Sequence, residues 1–180
     1  MVIRFEVVPH NSNWRSEFAA ESKRVAMALE KVVAVHHIGS TSISNIYAKP
    51  VIDLLVEVSD IAQVDERNAA MQALGYEVMG EYGIPGRRYF RKDNEAGQRT
   101  HHVHVFETAS SEVERHLAFR DYMIAHPEAA QQYSELKQAL MRKLHSTDIE
   151  GYIDGKDGFI KEMEQRAMAW RQEQKGREVV

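Results

Sequence analysis

The chain contains no cysteine, which excludes disulfides, thiolate metal sites and a cysteine nucleophile and fits a reducing compartment. No apolar run approaches the ~20 residues that span a bilayer. The first residues, MVIRFEVVPHNSNW, lack a basic segment followed by an apolar core, so no signal peptide is expected. The expectation is a soluble, cytoplasmic protein without a membrane partner. Strong charge of one sign is also missing. A net charge of −4 and a pI near 6.1 argue against a broad nucleic-acid surface and leave room for a local basic cleft. The four prolines fall at boundaries: Pro9 after a strand, Pro50 before another, Pro85 in a turn and Pro127 at a helix start.

At 180 residues the chain reads as one unit, able to bury roughly 70% of its extended surface without staples. Alternation predicts strands over 3–8, 32–38, 51–58, 76–80, 87–91 and 100–107. Asn11 or Ser12 caps a helix with an inner stripe of Trp14, Phe18, Val25 and Leu29. Asp60 caps a second helix that ends at Gly75. Ser111-x-x-Glu114 and Thr147-x-x-Glu150 read as capping boxes for later helices. Phe119, Tyr122, Phe159, Met163 and Trp170 read as core. Gly151, Gly155 and Gly158 predict either a close backbone approach or a last helix that begins near residue 157. The tail from Gln172 is expected to fray. The order suggests an α+β fold, a mixed sheet with flanking helices over residues 1–108, a helical region over 109–172 and a tail over 173–180.

The most informative stretch is 35–58, VHHIGSTSISNIYAKPVIDLLVEV. It runs strand, hydroxyl-rich loop, strand. Asp53 stands in the second strand on the face opposite Ile52, Leu54, Val56 and Val58. A carboxylate in so apolar a strand must be paired, metal-bound or open to a cleft. Gly39, Ser40, Thr41 and Ser42 can turn N–H groups and hydroxyls toward an anion. Lys49, held extended by Pro50, is placed to neutralise a phosphate there or to snorkel to water. Arg87 and Arg88 would face opposite sides of a strand; one of them reaching into the cleft would suit a phosphate, and the alternative is a salt bridge with Glu81 or a solvent-facing charge. In His101-His102-Val103-His104, the second and third histidines share a face ~7 Å apart. With Asp53 they would form a two-histidine, one-carboxylate set for a divalent metal. A structural histidine pair and direct anion binding remain open beside it.

The blocks HIGSTS at 37–42, AKPVID at 48–53, GRRYF at 86–90, HHVH at 101–104 and HLAFRDY at 116–122 resemble the GrpB family. That resemblance implies the nucleotidyltransferase superfold shared by DNA polymerase beta and the aminoglycoside nucleotidyltransferases. By spacing alone Arg120, Tyr133, Lys137, Tyr152 and Lys156 read as a solvated helix face; the resemblance, through the blocks HLAFRDY, YSELK and GYIDGK, implies instead a basic wall facing the cleft. The chain departs from the superfold at one position. Those enzymes carry two acidic residues separated by one, and here the second is Leu55. Glu57 cannot replace it, because it lies ~13 Å along the strand from Asp53. Three readings follow. The first is a protein that binds a nucleotide or other phosphorylated small molecule, as a nucleotidyltransferase dependent on Mg, Mn or Zn held by Asp53, His102 and His104. The second is a non-catalytic anion-binding module that lost the two-carboxylate clamp. The third is a metal-dependent hydrolase using His102 and His104.

Overall fold

A computed structural model describes residues 4–179. Its elements are α1 (Asn13–Leu29), β1 (Val32–Ile38), β2 (Ile52–Val58), α2 (Asn68–Ala73), β3 (Tyr76–Gly80), β4 (Arg88–Asp93), β5 (Arg99–Glu107), α3 (Ser111–Ala125), α4 (Pro127–Lys143) and α5 (Ile149–Glu178). Single 3-10 segments cover Ser40–Ser42 and Ile61–Arg67. The strands form one five-stranded sheet in the order β1-β2-β5-β4-β3. β2 and β5 run parallel and the other neighbours antiparallel. This is the α+β class, with a mixed sheet and helices after residue 110, that the strand and helix patterns predict.

The two faces of the sheet differ in chemistry. Ile52, Leu54, Val56 and Val58 of β2 join Val103 and Val105 of β5 and Phe90 of β4 in one core with Trp14, Val25 and Leu29 of α1. Each such side chain contributes roughly 1.5–3 kcal/mol when fully buried. The opposite face carries Asp53 and Leu55 of β2 and His102, His104 and Phe106 of β5. Strand alternation puts them there, and parallel pairing keeps Asp53 opposite His102 and Leu55 opposite His104. Over that face lie α3, α4 and α5. Their core joins Met123, Tyr133, Met163 and Ala167 to Ile43 and Ile46 of the β1–β2 connection. No helix among the described residues is long and apolar enough to cross a membrane.

Several local expectations shift. Instead of a strand over 3–8, Val8 makes an isolated bridge with Ala48 while Phe5 N donates to Ser146 O, so the segment divides its hydrogen bonds between two partners and builds no ladder; Ile3 itself falls outside the described residues. The Asp60 side chain accepts from Ala62 N, yet it opens a 3-10 segment before a short α2. α3 is capped by Ser110, whose Oγ accepts from Glu112 N, rather than through Ser111. α5 is capped by Asp148, which accepts from Gly151 N, rather than through Thr147. α5 starts at Ile149, and of the two readings of its glycines the close approach holds. A Cβ on Gly155 would lie 2.5 Å from Leu140 Cδ2. The tail expected to fray continues the helix to Glu178, and within it Lys175 pairs with Glu114 of α3.

One buried charge escapes the stripe read for α1. Glu21 is 2% exposed. It accepts from Tyr76 OH at 2.8 Å and from Lys92 Nζ at 2.5 Å, while Arg24 reaches its other oxygen at 3.1 Å. Burial raises the Glu21 carboxyl, but Lys92 and Tyr76 outweigh burial and leave its pKa below the ordinary value of 4.5. Glu21→Ala should destabilise the fold by about 2 kcal/mol in urea titration, because it strands a half-buried ammonium and a buried hydroxyl. The Glu21 contribution should be whole above pH of about 4.5 and fade as pH falls through the folded value, so the gap between wild type and variant closes in acid.

Candidate functional site

The cleft is built on the β1–β2 connection. Gly39 has φ +74°, and a Cβ there would sit 2.5 Å from Asp53 Oδ2. Only glycine lets the backbone close on that carboxylate. The next three residues form the 3-10 turn, and each has a different partner. Ser40 Oγ accepts from Lys137 Nζ of α4 at 2.8 Å. Thr41 is buried and donates to Val51 O at 3.2 Å. His37 Nε2 donates to Thr41 Oγ1 at 2.9 Å. Ser42 Oγ donates to Gly39 O at 2.5 Å. Thr41 and Ser42, expected at a phosphate, therefore spend their hydroxyls on the loop itself. Ser40 is the hydroxyl that meets the lysine.

Asp53 Oδ1 accepts from His102 Nδ1 at 2.9 Å and lies 3.5 Å from His104 Nε2. Burial pushes the Asp53 carboxyl up, but the charge of His102 and the hydrogen bonds from both imidazoles prevail and hold it well below the usual carboxylate range. Burial lowers the His104 imidazole. His116 of α3 lies 6.0 Å from His104 between ring centroids. Burial takes its imidazole down to about 4, and its Nδ1 donates to Glu112 O. Tyr89 of β4 stacks on His104 at 5.3 Å. The GRRYF block contains Tyr89, yet nothing in its spacing signals this contact, which arises from the pairing of Tyr89 with His104 across β4 and β5.

The two arginines point apart as expected, although the strand expected over 87–91 begins at Arg88 and Arg87 lies in the turn before it. Arg87 is 7% exposed and turns inward. Its Nε donates to Glu81 O, its Nη2 to Tyr82 O, and its Nη1 lies 3.4 Å from His104 Nδ1. Arg88 points away and pairs with Asp65 at 2.6 Å, so it does not line the cleft. Arg120 is also committed elsewhere. It pairs with Asp121 and donates to His37 O, bracing α3 on β1 rather than facing a ligand.

The helical region supplies a cluster of cations. Lys137 is 1% exposed, with Nζ 4.1 Å from the centroid of Tyr133. Lys49 and Lys156 lie 5.7 Å and 4.4 Å from the centroid of Tyr152. The lysine ion pairs among the described residues belong to Lys92, Lys161 and Lys175. Lys49, Lys137 and Lys156 have none. Burial, then the charges of Lys156 and Lys49, take Lys137 down to about 7. Burial and Lys49 take Lys156 down to about 8, and burial lowers Lys49. The Tyr152 hydroxyl is buried without a hydrogen-bond partner among the described residues. Burial pushes the Tyr133 hydroxyl, beside Ser40, up to about 12. Uncompensated cations and an orphaned hydroxyl at one place are what an anion would complete.

As a metal cage the acidic side of the cleft fits in distance and fails in hydrogen-bond direction. One ligand atom each from Asp53, His102 and His104 lie within 4.8 Å of one another. A histidine that holds a metal on one ring nitrogen carries its proton on the other and gives it to an acceptor. The other nitrogen of His104 faces the Arg87 guanidinium, which only donates. Glu57 does not complete the set either, because it is engaged by His36 and Thr108. Glu81 and Glu107 accept from Gly86 N and Ile61 N.

Gly39→Ala should lower Tm through both its left-handed φ and the clash, at a cost of about 2 kcal/mol. Asp53→Ala in the same chain should recover the clash portion. A thermal double-mutant cycle reads this as a positive coupling between the two sites, and strict additivity would mean that the carboxylate does not press on the glycine.

Comparison with known proteins places the chain. The model of the family described as GrpB protein matches residues 4–166. UPF0157 protein YqkA of Bacillus subtilis is 45% identical over 169 residues, covering 93% of this chain and 48% of YqkA. The chain thus spans about half the length of that relative. Glutamate-rich protein GrpB of Alkalihalophilus pseudofirmus is 33% identical, with 87% of this chain and 92% of that protein covered. The crystal structure of conserved protein GrpB from Enterococcus faecalis superposes with a TM-score of 0.88 at 40% identity, covering 93% of this chain and 99% of that one. With the family model matched over most of its length and the same fold in a solved member, the chain belongs to the GrpB family.

Proposed function

We propose that the cleft binds the phosphate groups of a nucleotide or another phosphorylated small molecule. One observation carries this reading: the fully buried ammonium of Lys137 has no carboxylate partner among the described residues and donates to Ser40 Oγ at 2.8 Å. Keeping an unpaired ammonium out of water costs stability, and the cost is recovered when an anion arrives. Lys49 and Lys156 extend the cationic surface beyond one phosphate. The Tyr152 hydroxyl adds a free donor. Phosphates bound there lie on the Ser40 side of Gly39, with Asp53 packed against that glycine.

Transfer chemistry on the bound phosphate has support in the Asp53–His102 contact. Asp53 takes the Nδ1 proton of His102 in a hydrogen bond, which orients the ring and leaves Nε2 to accept a proton from an attacking hydroxyl or water. The non-catalytic module is the second reading, and Leu55 favours it. A carboxylate at that position would face His104 across the parallel pair, and a leucine supplies no charge there. Incubating the chain with nucleoside triphosphates and following released phosphate and pyrophosphate separates the two. Turnover lost in His102→Ala supports chemistry, and binding without turnover supports the module.

Tripolyphosphate and nucleoside triphosphates should raise Tm in a concentration-dependent way. Lys137→Met and Ser40→Ala should each weaken that binding at least tenfold while leaving the fold intact. A wild-type protein indifferent to every phosphate ligand would overturn the reading. The Lys137 amine has a folded pKa lowered to about 7 from 10.5. The unfolded chain therefore binds the extra proton between those values, and ligand-free stability should rise with pH across that window. Lys137→Met should flatten the rise and be the more stable protein at pH 7. Phosphate affinity should run the other way and fall from pH 7 to 9, because the anion needs the ammonium form.

A further inference from the structure

We infer that Arg87 keeps metal ions off His104, so that the cleft takes its anionic ligand on side-chain cations rather than on a divalent ion. This rests on the phosphate reading above and deepens it.

The geometry around His104 is the starting point. Its Nε2 faces Asp53 and its Nδ1 faces Arg87 Nη1 at 3.4 Å. A guanidinium has five donors and no acceptor, and it stays charged in proteins. The proton of neutral His104 is thereby directed to Nε2, toward the carboxylate. A metal on Nε2 would need that proton moved to Nδ1, where it would point at another N–H. Arg87 cannot easily turn aside to allow this. Nε is held by Glu81 O at 3.1 Å and Nη2 by Tyr82 O at 2.8 Å, and the guanidinium lies 4.7 Å from the centroid of Tyr89. Arginine ion pairs run through the molecule, as in Arg88–Asp65 and Arg91–Glu77, but Arg87 has none among the described residues. Glu112 acts on it from beyond ion-pair distance, so its charge stands unpaired on the far side of one imidazole ring from the place a metal would occupy. Repulsion between two buried positive charges is weakly screened.

The charges of the rest of the cleft point the same way. Arg87, Lys49, Lys137 and Lys156 stand without ion-pair partners among the described residues, against Asp53, which already accepts from His102, and Glu112, whose field reaches Arg87 but which is paired with Arg115. Leu55, beside His104 in the register, adds no second carboxylate. A polyphosphate that arrives bare balances this surplus. One that arrives with a divalent ion brings more positive charge to a site already rich in it. Arg87 is thus a positioning residue acting through His104.

The test uses the full chain, inorganic tripolyphosphate and zinc, each measured separately by calorimetry. Wild type should bind tripolyphosphate at least as tightly in EDTA as with magnesium or manganese. Binding abolished by EDTA and restored by either ion would overturn the inference. With zinc alone, His104→Ala should change the wild-type Kd by less than about twofold. A loss of tenfold or more would show that His104 is a ligand and would also overturn it. Arg87→Met frees Nδ1 to carry the proton and should tighten zinc at least tenfold, within the ~10–100-fold range of outer-shell effects. Adding His104→Ala should abolish that gain, and a folded Arg87→Met protein without it would count against the inference. If Arg87→Met does not fold, the zinc comparison of wild type with His104→Ala decides. Tripolyphosphate that fails to bind under either condition removes the phosphate reading, while the zinc measurements still judge Arg87.

Discussion

The contact between the Asp53 carboxylate and the backbone of Gly39 is the constraint from which the cleft follows. A strand delivers one carboxylate to the polar face of the sheet, and a residue without a side chain lets the preceding loop close on it. That closure fixes where the 3-10 turn begins, and so where Ser40 Oγ stands. Lys137 reaches Ser40 from a helix nearly a hundred residues away in sequence. Parallel pairing of β2 with β5 then sets His102 beside the same carboxylate. A residue larger than glycine at position 39 would disturb all three relations together.

The cleft divides into two electrostatic halves. Around Asp53 most hydrogen bonds run between protein groups: two imidazoles serve one carboxylate oxygen, and a guanidinium tied to the β3–β4 turn serves one of those imidazoles. Around Lys137 they are open, with three unpaired lysines and an orphaned tyrosine hydroxyl. The contrast with Glu21 on the other face of the sheet shows that burial alone does not leave charges open. There a carboxylate, an ammonium and a phenol satisfy one another within a single network. Evolution of stability favours the second arrangement and evolution of binding the first, because a site must hold back some interaction free energy for its ligand.

Most of the framework was legible from side-chain periodicity. The strands around Asp53 and the histidines, the opposed faces of Ile52 and Asp53, and the shared face of His102 and His104 all follow from a period of two. What periodicity cannot specify is the partner. Thr41 and Ser42 carry the same hydroxyl as Ser40, yet they donate it to Val51 O and Gly39 O. Arg120 has the residue type and spacing of a cleft residue, but Asp121 and His37 O claim it. The capping boxes failed by one residue at Ser110 and Asp148, since either neighbouring polar side chain can accept the first free N–H and the entry angle of the chain selects between them.

By itself the sequence determined which residues could share a face, which carboxylate stood in an apolar strand, and which family the motif blocks resemble. These are local properties, set by alternation, turn chemistry and residue type. Tertiary structure decided which of those residues meet. It selected Arg87 over Arg88, made Ser40 the hydroxyl that takes the lysine, and gave the buried Glu21 its partners from β3 and β4. It also turned the ring nitrogens of His104 toward a carboxylate on one side and a guanidinium on the other. The reason is physical: hydrogen bonds and desolvation depend on distances of a few ångströms between segments far apart in the chain, and no periodicity within a segment encodes them.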